Sequence, residues 1–442
     1  MPVYPLVPEP ATGTPFVYDR SPIGPGGMGE NTRVNTLTAR LGVLADRDFA
    51  LYCTGNAVSW IGTWSQRIGV GWLSWKLSHS PSWVGLVSLL QFVPVGVCAP
   101  MFGALLDRTD RRRYSIAANA VLAALAALLF ALAVLDALTI HRLCALAALL
   151  GIANSAYQPA RLALVNDIAP PGRLAEAIAT NSIIYNLTRM VGPAVAGVAI
   201  VSFGVASTFA INALSFGAVI FALAVVDIEP VSHAPQSHGF LRDIAAGIRY
   251  AAGHPLIREL MLLSAVTSIL GRGLLELLPA FADGVYHRGS TGLAMLTTAS
   301  GAGAMLGAAA LSQAGRVRGL MNALVRHGTL WLGAVLILLG AVSRYSAALA
   351  VLVVYGVAIV LCSVGLQVLL QTEIEGQMRG RVLGLWGACN IAGPGIGGAL
   401  LGALAQFGGL RPVTIVSGAV CCGLAAFIMR RSGRLIAVAQ RP

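Results

Sequence analysis

Between residues 49 and 430 the sequence falls into twelve long, mostly apolar stretches, separated by short segments holding charge or Gly/Pro clusters. A helix needs about 20 apolar residues to cross a hydrocarbon core of roughly 30 Å, and lipid tolerates no unpaired backbone, so such stretches are expected to be membrane-spanning helices. Their approximate limits are 49–75, 82–105, 114–135, 143–165, 175–201, 204–226, 259–283, 290–313, 321–343, 346–371, 381–406 and 410–430. Only 11% of the residues are charged and 56% are hydrophobic, whereas soluble domains carry about 25% charge. An all-α, polytopic membrane protein is expected.

The connection after the sixth span is the longest and divides the helices six and six. It holds Pro230, His233, Pro235 and His238, then a stretch in which Leu241, Ile244, Ile248 and Ala251 recur at helical spacing, as in a helix lying along a membrane surface. A weak repeat supports the division: Gly192-Pro193 in the fifth span echoes Gly393-Pro394 in the eleventh, each the fifth helix of its half. Transporters built from repeated halves show such symmetry and bind substrate near mid-membrane between them. The expected units are a disordered tail over 1–48, a six-helix bundle over 49–228, a linker over 229–258, a second bundle over 259–430 and a tail over 431–442.

Lys and Arg are distributed unevenly among the loops. Placing the tails and even-numbered loops together collects 22 of them; five lie on the other side (Lys76, Arg142, Arg288, Arg344 and Arg411), and Arg67, Arg189 and Arg272 are assigned to helix interiors. Cytoplasmic loops carry that excess, so both termini are expected in the cytoplasm of a cell-membrane protein. The formal net charge of +12 then lies on a membrane rim, where anionic lipids are its partners and nucleic acid is not. A basic start followed by a short apolar core is absent, so the first span is expected to stay uncleaved.

The densest charge in the chain follows the second span: Gly103-Ala-Leu-Leu-Asp107-Arg108-Thr-Asp110-Arg111-Arg112-Arg113. Its Gly103, Asp107, Arg108, Arg111 and Arg112 resemble the loop signature of the major facilitator superfamily, with Asp110 standing where that pattern has Gly. Pro159-Ala-Arg-Leu-Ala-Leu-Val-Asn-Asp167, Arg173-Leu-Ala-Glu-Ala-Ile-Ala-Thr-Asn181, Asn186-Leu-Thr-Arg-Met-Val-Gly-Pro193 and Arg379-Gly-Arg-Val-Leu-Gly-Leu-Trp386 are similar to the enterobactin-exporter-like branch, which handles siderophores and drugs. The resemblance implies a major facilitator fold of two pseudo-symmetric bundles working by alternating access. It also implies that Asp107 meets the start of the eleventh helix, near Arg379 and Arg381, to close the cytoplasmic side. An anion there would face the positive end of a helix dipole. Positive-inside bias alone would account for the arginines, but needs no acid.

Polar residues inside the spans mark candidate functional sites, because lipid exposure of a charge is costly. Asn56, Trp60, Thr63 and Arg67 share one helical face; Asn181, Tyr185 and Arg189 share another; Asn154 with Gln158, and Ser363 with Gln367 and Gln371, form two more. They either line a water-filled cavity or hydrogen-bond neighbouring helices. Arg272 and Glu276, one turn apart, can form a local i,i+4 pair or a site coupled to protons. Many relatives in the resembled family carry an acid in the first helix where this chain has Gln66-Arg67. Three interior arginines against one glutamate favour an anionic or catecholate-like substrate.

Gly192 and Pro193 resemble a truncated antiporter motif of that family, and Gly393, Gly397, Gly398 and Gly402, like Gly303 and Gly307, offer small surfaces for close packing or hinges. The seven cysteines lack any repeated spacing and read as buried apolar residues; the seven histidines never recur at i,i+4, so neither metal nor cofactor is expected. The lone lysine, Lys76, cannot complete a phosphate-binding loop, which leaves secondary transport of a small molecule by a monomer. Three other functions stay open: a lysophospholipid flippase on the same fold, a non-transporting sensor and a membrane-embedded enzyme.

Overall fold

The computed structural model describes residues 42–226, 240–314 and 320–431, and all regular structure among them is helical. The helices are α1 Arg47–Ser78, α2 Pro81–Leu106, α3 Arg111–Val134, α4 Ile140–Ile168, α5 Leu174–Phe203 and α6 Ala206–Val225. After a linker helix, Phe240–Gly253, come the composite α7, then α8 Gly289–Ala314, α9 Leu320–Ala341, α10 Tyr345–Glu373, α11 Gly376–Gly408 and α12 Leu410–Arg431. Each expected span coincides with one of these to within a few residues. Residues 42–48, expected in the tail, are instead ordered: Gly42–Ala45 is a 3-10 turn with Val43 buried, and α1 begins at Arg47 under an Asp46 cap. The remaining tail residues, 1–41 and 432–442, and the first part of the linker, 227–239, lie outside the described residues.

Nine helices among the described residues are long and apolar enough to cross a membrane, and α7 makes a tenth if its bent halves are one span. The helix α1 misses that standard because Asn56, Ser59, Ser65 and Gln66 lie along it, yet all four are buried. Protein, not lipid, surrounds them. Gly55, Gly62 and Gly69 recur every seventh residue and let α6 lie against α1: an added Cβ on Gly62 would sit 2.8 Å from the Ser215 Cβ, and one on Gly55 would sit 2.8 Å from the Ala222 Cβ. Close backbone approach of this kind drives helix association where no hydrophobic effect operates.

In α7, helix Pro255–Val266 passes into a π-helical stretch Thr267–Arg272, a turn Gly273–Glu276, the short Leu278–Ala280 and a second π-helical stretch Phe281–Val285, with a bend of 43°. The Gly271 carbonyl accepts a hydrogen bond from the Tyr355 hydroxyl at 3.0 Å.

The two six-helix halves meet along α2 with α11 and along α5 with α8, and they meet unevenly. At the end carrying loops 78–81 and 285–289, Trp75 Nε1 donates to Asp283 at 2.9 Å, and Ser80 donates to Gln406 at 2.7 Å. A Cβ on Gly85 would come within 2.7 Å of the Gly398 carbonyl carbon, and one on Gly96 within 2.9 Å of the Ala392 Cβ. Toward the opposite end, which holds residues 107–113 and 376–381 and is here called the basic end, contact is lost. Added Cβ atoms on Gly380, Gly384 and Gly387 would meet nothing within 4 Å, and Val97, Met101 and Leu105 of α2 are exposed. Among the described residues the halves are thus packed at the first end and apart at the basic end.

Glycines at contacts and glycines in the open should respond oppositely to a methyl group. A Cβ on Gly303 would lie 2.8 Å from the Val353 carbonyl carbon, while Gly217 has nothing within 4 Å. Gly303→Ala should destabilise by about 1–3 kcal/mol through overpacking, and Gly217→Ala should be neutral or raise stability by up to about 1 kcal/mol through helix propensity. Thermal unfolding midpoints of the two purified variants check this contrast.

Candidate functional site

A cavity of about 330 Å³ lies between the halves, walled by α1, α2, α4, α5, α6, α7 and α11. Helical periodicity aims its side chains: Trp60, Trp64 and Arg67 follow one another at three- and four-residue steps on α1, as do Asn154, Gln158 and Arg161 on α4, and Tyr185 with Arg189 on α5. Arg272, Glu276 and Asn390 complete the wall from the other half. A smaller space of about 90 Å³ lies deeper, bordered by Arg67, Ser88, Arg189, Glu276 and Thr297.

Of the residues singled out by sequence, Arg67, Asn154, Gln158, Tyr185, Arg189, Arg272, Glu276 and Pro394 line the main cavity. Gln367 does not line it. Arg161, counted with the loops above, lies inside α4 and on the cavity wall, so the site carries four arginines rather than three. Its place one turn after Gln158 was the available clue. Asn390 was also overlooked, although it stands one turn before Pro394.

The expected local pairing of Arg272 with Glu276 does not form. Arg67 on α1 pairs with Glu276 across the two halves, Ser88 on α2 donates to the other Glu276 oxygen at 3.2 Å, and Arg272 donates to Asn390 at 3.4 Å. The physical reason is the break in α7: a π-helical stretch ends at Arg272 and a new turn carries Glu276, so the two no longer share a regular α-helical face. The Glu276 side chain is 8% exposed and that of Arg67 28%.

Aromatic rings hold the cations. The Arg67 guanidinium lies 4.4 Å from the Phe92 ring centre and 4.9 Å from that of Trp64, Arg189 lies 5.8 Å from Trp64, and Arg161 lies 5.2 Å from Trp60 and 5.1 Å from Tyr185. Such contacts are worth about 0.5–2 kcal/mol and keep a guanidinium dry without neutralising it. Glu276 is the only acid on the wall, so the lining bears a positive excess.

The loop 103–113 divides into parts with separate tasks. Asp110 caps α3 by accepting from the Arg113 amide at 2.7 Å, which explains an acid where the resembled pattern has Gly. Arg111 binds both oxygens of Asp167 at 2.9 and 3.0 Å, and Arg112 donates to the final carbonyls of α6, Leu223 and Ala224. These two arginines therefore tie α3 to α4 and α6 as well as adding basic charge. Gly103 faces only Pro159, at 3.8 Å from an added Cβ. Arg108 and Asp107 are exposed, and no ion pair joins Asp107 to Arg379 or Arg381 among the described residues.

The two Gly-Pro elements serve equivalent contacts. Gly192 presses α5 onto α1, where a Cβ would come within 3.1 Å of the Ile61 carbonyl oxygen and where Ser65 donates to the Gly192 carbonyl at 2.9 Å; Gly393 presses α11 onto α7, where a Cβ would lie 2.7 Å from the Ser268 Cβ. Pro193 and Pro394 both lie within their helices. Among the described residues no group of three or more His, Cys, Asp or Glu could hold a metal ion, and the cysteines are free.

The family model described as transmembrane secretion effector matches residues 38–438. The staphyloferrin A transporter of Staphylococcus aureus is 24% identical over 256 residues, covering 57% of this chain and 64% of that protein. The enterobactin exporter of Escherichia coli is 28% identical over 250 residues, covering 55% and 57%. The chain thus matches between half and two thirds of the length of these curated relatives. A bacterial homologue of the human lysosomal transporter Spinster, inward-facing and unoccupied, superposes with a TM-score of 0.69 at 14% identity, covering 90% of this chain and 99% of that one. A peptide transporter gives a TM-score of 0.69 at 13% identity over 88% and 94%. At these identities the structural likeness concerns the fold.

The tie between halves can be measured through stability. Removing one partner of a buried pair costs roughly 3–5 kcal/mol; partial exposure of Arg67 reduces this, and Glu276→Leu should cost about 1–3 kcal/mol. Adding Arg67→Met should restore most of that loss, giving a coupling of about 1–2 kcal/mol in a double-mutant cycle read by thermal unfolding. Simple additivity of the two losses would contradict the pairing.

Proposed function

The chain belongs to the transmembrane secretion effector family of the major facilitator superfamily, and from that membership we propose that it is a secondary active transporter exporting a small organic anion by alternating access. The observation that carries the anionic assignment is the cavity wall itself, with Arg67, Arg161, Arg189 and Arg272 against Glu276 alone. The printed names of the two curated relatives, a staphyloferrin A transporter and an enterobactin exporter, are compatible with a siderophore-like cargo.

Positive-inside bias assigns the basic end to the cytoplasm of the cell membrane, and the cavity then faces inward, ready to load cargo. Export requires the basic end to close and the Trp75–Asp283 end to part. Asp107 is the group we assign to that closure, by reaching the N-terminal end of α11 at Gly376 in the outward-facing state, where a helix dipole favours an anion. Among the described residues Asp107 makes no ion pair, as a contact made only on closing requires. The Arg67–Glu276 pair would be the element read by the energy source: a bound anion or a proton on Glu276 each weakens it, so either can release one half from the other.

A flippase would need lipid to reach the cavity sideways. An apolar groove of about 760 Å³ does lie at the seam of α5, α8 and α10. Behind it the seam is packed: an added Cβ on Gly197 would run into that of Ala294, and one on Gly301 would lie 3.4 Å from the Met190 Cα. The packing favours an aqueous route through the basic end over a lateral one.

In proteoliposomes, Arg189→Gln should reduce uptake of 2,3-dihydroxybenzoate by about tenfold or more, the loss of one charge-assisted contact of about 1.5–3 kcal/mol, and Arg67→Gln should do likewise by leaving the Glu276 carboxylate on the wall without its counter-ion. Variants that keep this anion moving and stop only ethidium would overturn the anionic assignment. Asp107→Asn should remove most transport while membrane insertion and thermal stability stay at wild-type levels, and unchanged flux would exclude Asp107 from the gate.

A further inference from the structure

The four arginines of the cavity are not equivalent. Arg67 already has Glu276 as its counter-ion. Arg161 has none: the ion pairs among the described residues are Arg67–Glu276, Arg111–Asp167 and Arg173–Glu176, and the buried Arg161 Nε has no hydrogen-bond partner. A buried donor without an acceptor is costly, and a structure that keeps one in a cavity wall offers it to something that enters the cavity. Trp60 and Tyr185, themselves edge to face at 5.2 Å, flank the Arg161 guanidinium at 5.2 and 5.1 Å. Those two rings brace the guanidinium on the cavity wall.

Arg189 forms a second station. It stands one turn beyond Tyr185 on α5 and lies 5.8 Å from Trp64, which stands one turn beyond Trp60 on α1. On both helices that turn runs from the basic end toward the interior, so the second station is displaced inward by about 6 Å, four residues at 1.5 Å each. Arg67 lies on the far side of Trp64, at 4.9 Å, and its pair with Glu276 marks the inner limit. Along the cavity axis the order is a vacant cation in an aromatic clamp, a second vacant cation, then a neutralised one, while Arg272 from the other half donates to Asn390 at 3.4 Å.

We infer that the cavity holds a dianion, with Arg161 and Arg189 each receiving one carboxylate or equivalent anionic group, and that Arg161 sets the preference for two charges over one. This rests on the cavity carrying an organic anion and adds what that anion must look like. A monoanion satisfies one station and leaves the other without a counter-ion, and the missing second contact is the difference that discriminates. The planar fork of each arginine favours bidentate contact with a carboxylate.

Trp60 and Trp64 in the wall make binding visible by intrinsic fluorescence of the purified full-length protein. Adipate, whose carboxylates span a comparable separation, should bind at least about tenfold more tightly than hexanoate, and Arg161→Gln should reduce that ratio to about one to three. Arg161→Lys, which keeps charge without the planar fork, should retain an intermediate ratio. Hexanoate binding by Arg161→Gln reports that the variant is folded. If it does not fold, the wild-type series succinate, adipate and suberate carries the test, with adipate tightest. A ratio unchanged in Arg161→Gln, or a flat series, overturns the two-station inference alone. Binding of hexyltrimethylammonium with no binding of either anion overturns the anionic cavity itself.

Discussion

Charge inside a bilayer has to be surrounded by protein or water, and most of this structure follows from where the chain puts its interior arginines. Arg67, Arg161, Arg189 and Arg272 lie on four helices from both halves and converge on one space. Exposure of any of them to lipid would cost several kcal/mol, so the helices that bear them must face inward and be jacketed by others. That is why α1, too polar to qualify as an apolar span, is tolerated: its glycines draw α6 close, Gly192 of α5 brings that helix against it, and its Asn, Ser and Gln side chains are buried. Aromatic walls then hold the guanidinium groups dry, and the one interior acid on that wall is spent on one of them.

The same constraint shapes the two ends. The halves are joined where Trp75 meets Asp283 and where glycines of α2 and α11 touch backbone to backbone, and they part toward the basic end. Within the first half, Arg111 with Asp167 and Arg112 with the end of α6 bind three helices into a unit. Those contacts lie inside one half, so they can persist while the halves move relative to each other. Asp107 lies exposed beside that set of contacts.

Much of the fold was legible in the sequence because the membrane imposes a length on every element. Twelve apolar stretches became helices at the expected positions, and the Gly-Pro elements at 192–193 and 393–394 occupy equivalent contacts in the two halves. The site was legible in its residue types but not in its pairings. Arg272 and Glu276 sit at ideal helical spacing, yet each finds its partner elsewhere, beside a π-helical stretch ending at Arg272 that no residue pattern announces. Arg161 was hidden by its nearness to a loop, since counting charge by loop assigns a residue to a rim without asking which way its helix face points. Gln367 has the composition of a cavity residue and lies elsewhere, because α10 turns that face away from the space between the halves. Gly55, Gly62 and Gly69 were a readable heptad of small residues, and they mark the α1–α6 contact.

Pseudo-symmetry makes α1 and α7 counterparts, each pressed by the glycine of a Gly-Pro element, yet they are built differently. The α1 helix runs unbroken for 32 residues and carries Trp60, Trp64 and Arg67 in a regular row. The α7 segment is interrupted twice by π-helical turns, and its functional side chains sit at the interruptions: Arg272 and Glu276 at the first, Asp283 at the second. A regular row is suited to presenting fixed charges to a ligand. An irregular backbone, with its freed carbonyls satisfied by groups such as the Tyr355 hydroxyl, can shift between alternative hydrogen-bonding patterns at little cost. Both interruptions of α7 reach across to the other half, through Glu276 to Arg67 and through Asp283 to Trp75. The two halves are thus distinguished by helix regularity, with three of the four wall arginines, Arg67, Arg161 and Arg189, on the half whose helices are unbroken.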